Sequence, residues 1–370
     1  MEKTKTKTAP RSNTRGEAQR SGFAAKTTSD GVSELSRRRH APARKRDDTQ
    51  SARRTGGPLT AGLEAVRVDA LDRASWLALR RRGLGGSDAA AVVGRSKWSS
   101  PYVVWAEKTG RLPDAPDTEA MRLGRDLEDY VARRFTELTG KRVRRLPLLL
   151  RSPRYPFALA DVDRAVMGER AGLECKTTST PDARPFREGF PAQYRDQCLH
   201  YLAVTGWDRW YLAVLVLGRG FFVYTLERDE AEITALMEAE RRFWTEHVVA
   251  GKAPEPDASE ATAAALGRLY PQSAEKAAPL GEYAEALEDY SRLRAEKKAL
   301  EGRMAETENR LKAALGDAER GETGRFTVTW RTQKRQTLQA KALEQAHPDL
   351  DLKPFYRETA TRVLKITENS

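Results

Sequence analysis

The chain reads as an α/β protein of α+β type: a mixed sheet flanked by helices, preceded by a basic tail and followed by a helical, coiled-coil-like arm with a small β appendage. Three observations predict it. Residues 157–166 alternate in strand fashion, Met167-Gly168-Glu169-Arg170 reads as a turn, and Ala171–Thr178 returns as a second strand, which together make a β-hairpin. Residues 121–140 and 191–206 are helical stretches that each end in glycine, the residue that most readily closes a helix. After Gly206, residues 208–217 and 221–227 flank Gly218-Arg219-Gly220 as a second hairpin, and a helix follows over residues 230–250.

The first hairpin carries the chemistry. Glu174 and Lys176 are two residues apart, so both leave one strand face, and Asp163 can reach that face from the partner strand. Two carboxylates and an ammonium then converge. Phosphodiester hydrolysis needs charge stabilisation and a water ionised below its bulk pKa, and hard oxygen ligands holding Mg²⁺ or Mn²⁺ supply both. Asp163 and Glu174 are the expected ligands, with the Cys175 carbonyl as a further oxygen. Lys176 would orient or help deprotonate the attacking water and stabilise developing charge. An acid-x-lysine triplet with an upstream Asp also arises by chance as the charged face of an edge strand, so three further segments matter.

The basic run from Trp76 to Arg82 leads through Gly85-Gly86 into a short Ala/Val helix, with Ser87 or Asp88 as its N-cap and Gly94 as its stop. Arg80 to Arg82 would neutralise a phosphate there, or form a solvated face. Within residues 121–140 the apolar residues Leu123, Leu127, Val131, Phe135 and Leu138 set a stripe, and Glu128 lies beside it, facing the domain, with Gly124 leaving room one turn earlier. That carboxylate suits a metal or its water, or an ordinary surface pair such as Arg125. In residues 191–206, Tyr194, Gln197 and Tyr201 share one face, where Gln197 can bond a water or phosphate or sit satisfied in the core.

Composition points to a polyanionic partner. The net charge is +12, and residues 1–60 hold 15 Lys and Arg against 6 Asp and Glu, so the remainder is only mildly basic. Residues 1–62 have almost no large apolar side chains and are expected to be disordered, with Arg37-Arg38-Arg39-His40 and Arg44-Lys45-Arg46 available for non-specific DNA affinity. No apolar signal segment or membrane span is found, which predicts a cytoplasmic protein with no membrane partner. Two cysteines, Cys175 and Cys198, argue against a disulfide framework or structural zinc.

Residues 63–252 form the expected catalytic domain, 253–274 a linker, and 275–370 an appendage. Tyr283, Leu287, Tyr290, Leu293, Leu300, Met304, Leu311 and Leu315 fall at helical spacing and predict a long amphipathic helix. Its expected partner is the terminal segment, where Phe326, Val328 and Trp330 alternate beside Arg331, Lys334 and Arg335, with a last strand near residues 362–366.

The order of these motifs resembles the YqaJ-like viral recombinase family, relatives of phage lambda exonuclease within the PD-(D/E)xK nucleases. The resemblance covers roughly residues 74–250: Trp76 and Arg80 before Gly85 to Asp88, then Lys108-Thr109-Gly110, Gly124 with Glu128, Asp163 with Glu174 and Lys176, and Gln197 with Tyr201 before Thr205-Gly206. It implies a restriction-endonuclease-like core and a Mg²⁺- or Mn²⁺-dependent exonuclease acting on double-stranded DNA ends. Asp163, Glu174 and Glu128 would bind metal, Lys176 would be the catalytic lysine, and Gln197 would support the centre. Arg80 and Ser87 would grip a DNA phosphate, with Lys97 a looser match. A single-strand annealing protein and a homo-trimer are further implied partners. Asp161 departs from the family pattern and can substitute or contribute as a ligand; Arg164 after Asp163 favours the latter. The alternatives are a structure-specific or restriction-like endonuclease and a non-catalytic DNA-binding module.

Overall fold

The computed structural model describes residues 59–113, 117–357, 359 and 362–367. The expected basic tail, up to residue 58 and including both arginine-rich clusters, lies outside the described residues. The described chain begins with β1 (Glu64–Arg67), α1 (Arg73–Arg80), β2 (Leu84–Gly85), α2 (Gly86–Val92), α3 (Pro101–Lys108) and α4 (Glu119–Thr139). It continues through β3 (Val143–Arg145), β4 (Leu148–Ser152), β5 (Tyr155–Asp161), β6 (Arg164–Val166), β7 (Ala171–Thr178), α5 (Arg184–Glu188), α6 (Ala192–Thr205), β8 (Arg209–Val216), β9 (Gly220–Glu227) and α7 (Glu230–Phe243).

A mixed five-stranded sheet, ordered β3-β6-β7-β8-β9, is the frame. β7 and β8 run parallel along their whole length, from Ala171 opposite Arg209 to Thr178 opposite Val216. Parallel neighbours need a crossover, and α6 provides it. It packs on β8 and also on β4 and β5 of a four-stranded sheet ordered β1-β4-β5-β2. The opposite face of the five-stranded sheet is covered by α4, whose Val131, Ala132 and Phe135 bury against Leu173, Tyr211 and Ala213. Thr118 caps α4, and Gly140 closes it at φ 72°, a left-handed conformation that glycine adopts without penalty. The ends of its expected stripe, Leu123 and Leu138, are exposed.

The hairpin departs from its expected form at one place. Residues 157–166 are not one strand: β5 ends at Asp161 in the four-stranded sheet, Val162 and Asp163 form a bend, and β6 begins at Arg164 in the five-stranded sheet. Val162 is buried in the larger core at the crossing point, and a chain that changes sheets has to break its strand there. Asp161 and Asp163 therefore do not share a strand face. The short helix α2 is also capped differently. Gly85 is its N-cap, and Asp88 sits one turn in, accepting the Gly85 N–H at 2.8 Å.

The expected linker at residues 253–274 contains a helix, α8 (Glu260–Leu269), capped by Ser259 and tied to the domain by Thr262, whose hydroxyl lies 2.7 Å from that of Ser100. The long amphipathic helix is α9 (Ala284–Leu315). It does not lie on the terminal segment. That segment forms a small hairpin, β10 (Arg320–Glu322) with β11 (Thr327–Thr329), and a helix, α10 (Ala340–Ala346), while the last strand expected near residues 362–366 is absent. Among the described residues no helix is long and apolar enough to cross a membrane.

α6 is fastened by a buried ion pair unforeseen in the sequence. His200 and Glu240 of α7 are fully buried, with Nδ1 2.9 Å from both carboxylate oxygens and Nε2 2.9 Å from the Leu159 carbonyl. Burial would hold the imidazole neutral, but the Glu240 carboxylate outweighs it and raises its pKa. Replacing His200 by Ala leaves Glu240 buried without its partner, so His200→Ala should lower stability by about 3 kcal/mol or more, read from urea unfolding. A loss below about 1 kcal/mol would show that the pair does not fasten the helix.

Candidate active site

Strand period places Glu174 and Lys176 on one face of β7, and α6 lies across that face. The Lys176 ammonium is 2.6 Å from Glu174 Oε1. Gln197 of α6 donates through Nε2 to the same oxygen at 2.7 Å and to the Tyr201 hydroxyl at 2.9 Å. One turn earlier on α6, the Tyr194 ring lies 5.5 Å from the Lys176 ammonium. Gly86 of α2 makes the approach possible: a Cβ there would lie 2.6 Å from the Tyr201 ring.

Asp163 arrives from the bend between the sheets. β6 pairs with β7 only at Gly172 and Leu173, so the next stretch of β7 has an open edge on that side. The Cys175 N–H uses it to donate to Asp163 Oδ2 at 2.8 Å. Because a strand residue sends its N–H and C=O to the same edge, the Cys175 carbonyl lies on the Asp163 side as well. The thiol is half-buried, and burial pushes its pKa well up.

Further charged groups lie around Asp163. Glu128 of α4 is bonded to Arg164 and lies 3.7 Å from Arg145. Arg164 is itself buried, and it also donates to Asp129 at 2.5 Å and to the Asp163 carbonyl at 2.7 Å. Glu128 thus pairs with Arg164 and not with Arg125, which holds Asp117. Asp161, at the end of β5, is the shared wall of two cavities. The larger, about 370 Å³, is lined by Glu128, Arg145, Asp161, Asp163 and Arg164. The smaller, about 80 Å³, is lined by Arg80, Gly86, Ser87, Asp161, Gln197 and Tyr201.

The electrostatics follow from burial and crowding. Burial raises the Asp163 pKa well above the usual carboxylate range, and Glu174 and Glu128 add to it. Glu174 is raised by burial, with Lys176 opposing. Burial pulls Lys176 down, but Glu174 and Asp163 more than reverse it, and the ammonium stays protonated. Asp161 is also raised by burial, with Arg80 opposing. Glu174 Oε2 is buried and has no hydrogen-bond partner among the described residues, a costly state for a carboxylate oxygen.

Beside the small cavity, Arg80 donates to the Ser87 hydroxyl at 2.8 Å while its guanidinium lies 5.0 Å from the Trp76 ring. Lys108, for which the sequence suggested only a motif, holds this corner together: its ammonium is 2.6 Å from Asp88 and donates to the Arg80 carbonyl at 3.2 Å. The structure therefore gathers Asp163, Glu174, Lys176 and Gln197 in one centre, sets Asp161, Arg80 and Ser87 beside it, and ties Glu128 to Arg164. Lys97 is exposed on the loop after α2 and lines neither cavity. Among the described residues, no three His, Cys, Asp or Glu side chains converge closely enough to hold a metal ion together; Glu128 is turned onto its arginines. Arg164 and Lys108 were missed as organisers because a buried cation is recognisable only from the acids that surround it.

Residues 75–208 match the model of the YqaJ-like viral recombinase domain. Over 306 residues the chain is 37% identical to the "Uncharacterized protein YqaJ" of Bacillus subtilis (strain 168), a match spanning 81% of this chain and 96% of that one. Among solved structures, an alkaline exonuclease from Laribacter hongkongensis is similar at 21% identity and a TM-score of 0.40, covering 48% of this chain and 94% of its own. A phage-related exonuclease from Haemophilus somnus 129PT is similar at 11% identity and a TM-score of 0.36, covering 48% of this chain and 99% of its own.

The crowded acids have a consequence for stability. Because the Asp163 pKa is raised in the folded state, the folded protein binds this proton more tightly than the unfolded chain does. Stability is then lost as pH rises from the ordinary carboxylate value, about 4, through the raised one. With chelator present, Asp163→Asn should raise Tm by about 2–4 °C at pH 8, while still accepting the Cys175 N–H. The gain should vanish near pH 4, and a variant that melts below wild type at pH 8 would contradict the repulsion.

Proposed function

The chain belongs to the YqaJ-like viral recombinase family, and from that premise we propose that it is a metal-dependent exonuclease that hydrolyses double-stranded DNA from its ends. The observation that carries the reading is the buried Glu174 oxygen without a partner, next to Asp163 and across from a protonated Lys176. A carboxylate held this way fits a cation better than it fits a structural role. The raised Asp163 pKa points the same way, since a divalent cation between the two acids would relieve their repulsion.

Asp163 and Glu174 would hold the ion, with the Cys175 carbonyl on the same edge and Glu128 and Asp161 on the cavity wall. All are hard oxygen donors, the set that Mg²⁺ or Mn²⁺ takes. When bound, the metal supplies Lewis acidity and lowers the pKa of water. Lys176, being protonated, is a poor base in this arrangement. Its contribution is a fixed positive charge beside the phosphate as negative charge builds. The Gln197 amide nitrogen is committed to Glu174 and Tyr201, so its carbonyl is the end that can accept from a water and orient it.

Arg80 and Ser87 line the small cavity and would bind a DNA phosphate there, the guanidinium steadied by the Trp76 ring. Lys97, outside both cavities, would meet backbone further along the DNA.

Incubating the purified chain with end-labelled linear duplex and with closed circular DNA, in Mg²⁺, Mn²⁺ or chelator, tests the reading. Linear DNA alone should be degraded, and only with metal. Lys176→Ala should slow hydrolysis about 10³-fold, whereas Arg80→Ala should chiefly raise the DNA concentration required. Cutting of the closed circle would indicate an endonuclease. Folded wild type that binds DNA and leaves both substrates intact in either metal would indicate a non-catalytic DNA-binding module.

A further inference from the structure

Nothing in the proposed reaction uses α9. Every residue from 284 to 311 is exposed, and only Lys312 and Leu315, at its end, are partly covered. The helix has 32 residues and is roughly 48 Å long. An exposed helix gains nothing from tertiary packing, the main source of helix stability in proteins, and Gly302 in its middle costs about 1 kcal/mol relative to Ala. Its seam nevertheless keeps a regular spacing. From Tyr290 through Leu293, Lys297, Leu300, Met304 and Thr307 to Leu311, the steps alternate three and four, a heptad seam of five apolar residues with Lys297 and Thr307 between them. Leu293, Leu300 and Met304 are each more than half exposed on that seam.

We propose that α9 pairs with α9 of a second copy of this chain as an antiparallel two-stranded coiled coil. In a parallel pair each seam residue meets itself. Lys297 would face Lys297, Ala286 would leave a gap against Ala286, and on the flank Glu296 would face Glu301, like against like, beside the opposite-sign contacts Asp289 with Arg294 and Arg303 with Glu308. Aligned antiparallel, the seam fits. Tyr283 faces Ala314, Tyr290 faces Thr307 and Leu311 faces Ala286, so that large meets small in three layers. Met304 meets Leu293, and Lys297 lies along Leu300 with its ammonium reaching Glu301 of its own helix, 3.7 Å away in the structure.

The flanking charges choose the same direction. In the antiparallel register Asp289 faces Arg310, Glu296 faces Arg303 and Arg294 faces Glu301; every pair is opposite in sign and recurs by two-fold symmetry. The pairs these residues now make within the helix, such as Arg310 with Glu306 and Arg292 with Asp289, are exposed and worth little. A seam of this length would bury on the order of 1,500 Å², the size of a specific interface.

Sedimentation equilibrium of the full chain tests this. Wild type should associate at micromolar concentration, and Leu293→Asp with Leu300→Asp should remove the association through α9 while the thermal unfolding of the catalytic domain stays unchanged, since both side chains are exposed. Glu296→Arg sets an arginine against Arg303 at both symmetry-related places and should weaken pairing about tenfold, and adding Arg303→Glu should restore it. A parallel coil predicts the reverse for Glu296→Arg, because the Glu296–Glu301 repulsion is relieved. Tighter pairing by that variant, a monomeric wild type at tens of micromolar, or an assembly indifferent to the Leu293 and Leu300 changes would each overturn the proposal.

Discussion

The contact between Lys176 and Glu174 is the interaction on which the candidate centre depends. Asp161, Asp163 and Glu128 line two adjoining cavities, Glu174 adds a fourth carboxylate that acts on Asp163, and burial by itself opposes charge on Asp161, Asp163 and Glu174. A protonated lysine 2.6 Å from Glu174 is what lets that acid remain in the interior. Gln197 bonds the same oxygen, leaving the other without a partner among the described residues. The site is held in an arrangement that is electrostatically incomplete, as is common where a protein trades stability for binding or catalysis.

Topology delivers these groups with little freedom. Parallel pairing of β7 and β8 forces the chain across the sheet through α6, so Gln197 and Tyr201 fall above the strand that carries Glu174 and Lys176. The break at Val162 and Asp163 transfers the chain from one sheet to the other, and the early end of β6 leaves the β7 edge open for Asp163. Had the hairpin run on as one continuous pair, the Cys175 N–H would be spent on the ladder and no edge would remain for the acid.

Much of this was readable in the residues, for identifiable reasons. Strand alternation places Glu174 and Lys176 on one face, and the β6–β7 end of the expected hairpin forms about its turn at Gly168, φ 83°. The glycines at 140 and 206 both close helices in the left-handed conformation. Non-local facts were not readable. The sheet switch depends on Val162 being drawn into a core assembled from distant elements. Helix α8, in the stretch expected to be a linker, is held by Thr262 against Ser100. The His200–Glu240 pair joins residues 40 apart in sequence through burial alone, and no periodicity signals it. Helix α9 was legible because a heptad is a local pattern, whereas what covers it is not written in its own spacing.

Glu128 shows how a residue can belong to the pattern without being locked in the centre. It is tied to Arg164, yet Arg164 has two other acceptors, Asp129 and the Asp163 carbonyl. Turning Glu128 toward Asp163 would leave that buried guanidinium still bonded on two sides, so the move avoids the large cost of stranding an interior cation. Gly124, one turn earlier, has nothing within 4 Å of where a side chain would begin, which leaves the approach to Glu128 open. Asp163 and Glu174 have no comparable latitude, since one is fastened to a strand edge and the other to a lysine and an amide. The two acids are thus held by their partners, whereas Glu128, on the wall of the larger cavity, shares its arginine with two other acceptors.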